Sequence, residues 1–213
     1  MTITTKALAR LAGKGDAGAM CQLGYRYAFN RQRSRPNWVK AAALWQKAAK
    51  KGHTSSRFNL GVCFYLGYGV KRDRRKAARL YYQAADDGHV SAMYNLALMY
   101  RDGVGVKKDL FRCVWLLRTA ALLEHAGAQR DLGYCLYTGL GFERDMIEAA
   151  CWYRRAAKQG DAKAQWNLAL CYLEGEGVRK NAGVAKRWLK AAASNGHKKA
   201  RRKLREIADD EGT

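Results

Sequence analysis

Acidic side chains are scarce in this 213-residue chain: 18 Asp and Glu stand against 40 Lys and Arg, a net charge of +22. Such a field draws anions at long range, whether nucleic acid, anionic lipid headgroups or an acidic protein. It bears on partners and association rates, not on fold. A long apolar run is missing as well. Residues 1–15 place Lys6 and Arg10 inside an alternating Ala/Leu pattern with no apolar h-region, so neither a secretory signal nor a membrane span is expected. The six cysteines form no C-x-x-C pair and no Cys/His cluster at zinc spacing. Cys63, Cys135 and Cys171 share a repeat position with Met99, which marks a buried, soft apolar site. Unpaired core thiols fit a reducing compartment, and a cytoplasmic location is expected. No glycine-rich phosphate loop follows a strand, and no Ser/His/Asp or paired-carboxylate set can be assembled. The chain is therefore read as a non-enzyme with no catalytic residue, cofactor or metal.

What is present is a core-forming composition, 48% hydrophobic and 27% charged, written in a repeat. Gly52, Gly88, Gly160 and Gly196 fall on one 36-residue register, with Glu124 at the missing step. Ala48, Ala84, Ala120, Ala156 and Ala192 share a second register, and Leu60, Leu96, Leu132, Leu168 and Leu204 a third. A period of this length means stacked units that bury a continuous core between neighbours.

Each unit parses into two helices. Ala92, Leu96, Met99 and Tyr100 keep the spacing of one helical face. Gly103-Val104-Gly105-Val106 then turns the chain, and Asp109 is placed to cap the second helix. That helix carries Val114, Leu117, Ala120 and Ala121 inward. The small row Gly61, Ala97, Gly133 and Ala169 belongs at the helix–helix contact, and the apolar rows Leu44/Leu80/Leu116/Trp152/Trp188 and Trp45/Tyr81/Leu117/Tyr153/Leu189 pack the second helices. Both ends read as caps, giving a single array: a capping helix over 1–14, five repeats over 15–196, and a capping helix with a loose tail over 197–213.

The segment from Gly160 to Val178, with its Trp166-Asn167-Leu168-Ala169 and Gly175-Glu176-Gly177-Val178 elements, resembles the Sel1-like repeat, a slightly longer relative of the tetratricopeptide repeat. Phe58-Asn59-Leu60-Gly61 and Tyr94-Asn95-Leu96-Ala97, each with its glycine turn, repeat the likeness. It covers about Gly15 to Leu204. Unit one departs from it at Asn30 to Pro36, and unit four at Glu124 and Arg130. The resemblance implies an all-α, right-handed α/α superhelical solenoid that serves as a protein–protein interaction adaptor, with first helices lining a concave groove.

In such a groove, asparagines grip the backbone of an extended peptide, since an amide offers both donor and acceptor. Gln22, Asn59, Asn95, Asp131 and Asn167 form that row here, beside Phe58, Tyr94, Arg130 and Trp166, whose aromatics would add apolar area at low entropy cost. A second reading has the row bonding neighbouring helices. The links between helices are cationic: Arg31, Arg33 and Arg35; Lys71, Arg72, Arg74 and Arg75; Lys107 and Lys108; Arg144; Arg179 and Lys180. Charge is densest early, with 11 basic and 1 acidic residue in 1–52. This edge serves either solubility or an anionic partner, such as nucleic acid or an acidic toxin or effector that the chain neutralises. The expected partner is an acidic protein or peptide. Nucleic-acid binding should be weak, because no aromatics interleave the links to stack bases. A monomer or weak self-association is expected. His53, His89, His125 and His197 repeat in register and read as helix caps, since adjacent repeats lie about 10 Å apart, too far to share a metal.

Overall fold

The computed structural model describes residues 3–29, 36–141 and 143–211. Those residues hold twelve α-helices and no strand: α1 (Thr5–Gly13), α2 (Ala17–Phe29), α3 (Trp38–Lys50), α4 (Thr54–Leu66), α5 (Arg74–Asp86), α6 (Val90–Asp102), α7 (Leu110–Leu122), α8 (Ala126–Thr138), α9 (Met146–Lys158), α10 (Ala162–Glu174), α11 (Ala182–Ser194) and α12 (Lys198–Glu211). The chain divides into two compact units, Met1–Asp109 and Leu110–Thr213. Within the first, α1 packs on α2, α2 on α3, α3 on α4, α4 on α5 and α5 on α6; within the second, α7 to α12 follow the same order of neighbours. The C-terminal helix runs on to Glu211, past Asp209.

Local chemistry sets the helix ends. The second helices begin at Asn37, Asp73, Asp145 and Asn181, whose side chains accept from the backbone N–H three residues on. These four share the register of Asp109. A capping side chain satisfies one of the orphan donors of the first turn, worth about 1 kcal/mol. At the other end of these helices the chain needs a left-handed residue, and four units supply glycine. After α7, the third of these helices, the residue is Glu124 at φ 60°, a conformation that disfavours a Cβ. Its carboxylate accepts from the Gln129 side-chain amide at 3.0 Å, which ties the strained turn to α8.

Helix pairs close on a small-against-large fit. A methyl group on Gly24 would lie 2.5 Å from Trp45 Nε1, one on Gly61 2.7 Å from Tyr81 Cε1, and one on Gly133 2.8 Å from Tyr153 Cδ1. Trp45, Tyr81 and Tyr153 are buried. In the fifth pair, Ala169 faces the smaller Leu189 within one core cluster. The small row thus carries glycine where the partner is aromatic and alanine where it is leucine. The polar ends of the large side chains are satisfied: Trp45 Nε1 donates to the Cys21 carbonyl at 3.1 Å, while the Tyr81 and Tyr153 hydroxyls are hydrogen-bonded to Asn95 and Asn167.

Polar ties join successive pairs. Gln129 Nε2 donates to the Ala121 carbonyl at 3.1 Å and its Oε1 accepts from Gln159. Gln165 repeats the arrangement with Ala157 and Asn195, and Arg57 pairs with Asp87 in the equivalent place. At the ends, Leu8 and Ala12 of α1 cover Ala19, Met20, Leu23 and Ala48. In α12, Ala200 joins the Ala192–Ala193 core with Leu204 and Ile207 packed against it.

Two outcomes check this packing. Gly61→Ala should destabilise by about 1–3 kcal/mol through overpacking, and adding Tyr81→Leu should recover part of the loss, with a coupling of about 0.5–3 kcal/mol. Additive losses in denaturant titrations would show that the fit is not what sets the helix approach. Cys21, Cys63, Cys113, Cys135 and Cys171 are buried and Cys151 is exposed; burial pushes the Cys63 thiol up to about 12 and Cys171 to about 11. A native protein should therefore label rapidly at Cys151 alone. Fast labelling of Cys63 would place its row on the wrong face.

Candidate functional site

The two first-helix rows read as a groove turn out to be heavily committed within the protein. Phe58 stacks on His89 with ring centroids 4.4 Å apart, and Trp166 stacks on His197 at 5.0 Å. Each histidine is the cap of the next first helix: His53, His89, His125 and His197 accept through Nδ1 from Ser56, Ala92, Ala128 and Ala200 at 3.1–3.3 Å. The capping expectation holds at all four. At Asp161 the cap is a carboxylate, accepting from Ala164 N at 2.8 Å, and here the aromatic has become Arg130, which binds Asp161 at 2.8 Å. Aromatic on histidine and arginine on aspartate are alternative solutions of one contact.

Asn59 departs furthest from the peptide-grip expectation. It is buried; Tyr25 Oη donates to its Oδ1 at 3.0 Å, and its Nδ2 lies 3.9 Å from Cys21 Sγ. Both amide ends are used inside the first unit, so the helix-bonding reading describes this residue. Asn95 and Asn167 are half-buried and hold tyrosine hydroxyls. Asp131 pairs with Arg130 at 2.7 Å. Gln22 is exposed, and Phe58, Tyr94, Arg130 and Trp166 are half-buried.

The apolar surface that the sequence reading missed lies in the first unit. Tyr25, Phe29 and Tyr68 are 42%, 57% and 42% exposed. Phe29 meets Tyr25 at 5.8 Å and the edge of Trp38 at 5.2 Å, and Trp38 meets Tyr68 at 4.7 Å. Four aromatic rings thus form one contiguous surface cluster across α2, the start of α3 and the turn after α4. The available signal was a register just past the small row, Tyr25, Val62, Leu98, Tyr134 and Leu170, whose apolar residues no core row accounts for. Tyr134 is also half-exposed in the second unit.

Of the basic edge, Arg31, Arg33 and Arg35 lie outside the described residues. Lys71, Arg72, Arg74, Arg75, Lys107, Lys108, Arg144, Arg179 and Lys180 are all exposed. In the first unit, Lys71 to Lys76, Phe64 and Gly105 surround an open depression of about 690 Å³. In the second, Arg154, Tyr172, Arg179, Lys180 and Asn181 line another of about 640 Å³. Arg144 is partly spent, donating to the Tyr137 carbonyl at 2.8 Å. Among the described residues no helix is long and apolar enough to cross a membrane, and no group of three metal-ligating side chains converges. The geometry offers an exposed aromatic surface and exposed cationic links.

The family model of the Sel1 repeat matches five consecutive segments, 17–53, 54–89, 90–125, 126–161 and 162–197. Among solved structures, c5321, a protective antigen of uropathogenic Escherichia coli displaying an SLR fold, is 31% identical over 97% of this chain and 44% of its own, with a TM-score of 0.91. A Sel1 repeat protein from Oxalobacter formigenes is 30% identical over 95% of this chain and 58% of its own, at 0.87. An immunity protein from Pseudomonas aeruginosa is 25% identical over 86% of this chain and 67% of its own, at 0.55. The chain spans less than two thirds of the first two. No curated protein matches it. The architecture is an all-α repeat solenoid.

The histidine caps give stability a pH dependence. Burial holds His89, His125 and His197 below the ordinary imidazole value. The unfolded chain then takes up protons first as pH falls through about 6.5, so the caps contribute fully above that value and progressively less below it. The melting temperature should drop between about pH 7.5 and about pH 5.5. Replacing all three histidines by Asn, which caps without titrating, should flatten that drop. An unchanged profile in the variant would assign the dependence to other groups.

Proposed function

The chain belongs to the Sel1 repeat family, and we propose that it is a non-enzymatic scaffold holding a protein segment against the exposed face of its first helices. Sel1 repeat proteins generally mediate protein–protein interaction. The observation that carries the reading here is the aromatic cluster Tyr25–Phe29–Trp38–Tyr68. Tyr25, Phe29 and Tyr68 are exposed and packed ring against ring around half-buried Trp38, which supplies apolar contact area at low entropy cost. The half-buried sides of Tyr94 and Asn95, with exposed Gln22, extend the candidate contact within the first unit. A hydrogen bond to the Tyr81 hydroxyl holds Asn95 in place. Asn59 acts from behind, positioning Tyr25.

A net charge of +22 favours an acidic partner and opposes association with a second copy. The likeness to an immunity protein of Pseudomonas aeruginosa supports one form of this role, in which the bound protein is an acidic effector held inactive. Free, buried thiols suit a reducing, cytoplasmic setting.

The test is affinity capture from a nuclease-treated lysate of the source cell, comparing the wild type with Phe29→Ser/Tyr68→Ser. Both positions are exposed, so the variant should lose no more than about 1 kcal/mol of stability, while the captured protein should be depleted at least about tenfold, about 1.4 kcal/mol of affinity. Capture undiminished by the variant would overturn the reading.

A further inference from the structure

The basic links are unequal, and their inequality locates a second site. The segment Lys71-Arg72-Asp73-Arg74-Arg75-Lys76 carries five cations and one acid, and that acid is engaged as the α5 cap, accepting from Lys76 N at 2.9 Å. Lys71, Arg72 and Arg75 have no acidic partner among the described residues. They border the open depression of about 690 Å³, which Gly105 of the following link also lines. Lys107 and Lys108 of that same link add two more exposed cations within the unit. The corresponding fourth link reverses sign: Glu143, Asp145 and Glu148 accompany Arg144. The cationic run therefore does not continue from link to link.

We infer that the depression bordered by Lys71, Arg72 and Arg75 docks a short, extended protein segment rich in aspartate and glutamate. A cluster of cations without acidic partners complements clustered carboxylates and favours one register. Two features favour this ligand over nucleic acid. A long polyanion would need basic links throughout, and the fourth link carries a net negative charge. Single-strand binding also needs free rings to stack bases, whereas Lys76 lies over Phe64 at 4.2 Å and Arg74 over Tyr65 at 5.8 Å. The site sits on the links, not on the aromatic cluster, so it stands or falls separately from that surface.

The test uses the full chain and a fluorescent eight-residue peptide of alternating Asp and Glu, with a single-stranded oligonucleotide of eight phosphates as the rival probe. Lys71→Ser/Arg72→Ser/Arg75→Ser is compared with Arg179→Ser/Lys180→Ser/Lys190→Ser, which removes the same charge elsewhere, and circular dichroism confirms that both fold. The first variant should weaken the peptide at least about tenfold and the second no more than about twofold. Phe29→Ser/Tyr68→Ser should leave peptide binding intact. Equal weakening by both charge variants, showing that net charge alone acts, would overturn the proposal. So would no peptide binding by the wild type, or tighter oligonucleotide binding that the first variant abolishes.

Discussion

Everything in this chain hangs on how closely two helices of a pair approach, and a single register sets that distance. Where the second helix presents Trp45, Tyr81 or Tyr153, the first presents glycine, because even one methyl group would sit inside the ring's contact distance. Where it presents Leu189, alanine fits. The smaller partner thus offsets the larger one, which lets pairs built from different residues pack closely. The large residue's polar end then recruits an asparagine or a backbone carbonyl, which carries the consequence of a packing choice to the next element. A buried tyrosine hydroxyl without such a partner would be costly.

A second contact links one repeat to the next within each unit. Phe58 on His89 and Trp166 on His197 join the middle of one first helix to the cap of the following one, and Arg130 with Asp161 does the same by charge. Such an arrangement couples helix initiation to neighbour packing. Nearest-neighbour coupling of this kind is what makes a repeat array cooperative.

The fold was highly legible in the sequence. The 36-residue registers located the helices, the glycine turns and both end helices, because each is a local preference repeated several times. The cap roles of the four histidines and the buried thiol row were legible for the same reason. The site was less so. Asn59, Phe58 and Trp166 carry the residue types of a peptide grip, yet the same types serve contacts between units, and periodicity cannot separate a row that faces a ligand from one that faces its neighbour. The aromatic cluster was hidden for the opposite reason. Phe29, Trp38 and Tyr68 come from three elements and from no common register, so only the folded chain brings them together.

Function in this account concentrates in the first unit, where an exposed aromatic cluster and the densest unpaired positive charge occur on different elements of one compact body. Hydrogen exchange on the full chain, free and bound to its captured protein partner, tests that claim most directly. Protection should rise at the end of α2, the start of α3 and the link before α5, while α10 to α12 exchange as before. Protection confined to the second unit, or none anywhere on binding, would contradict the account.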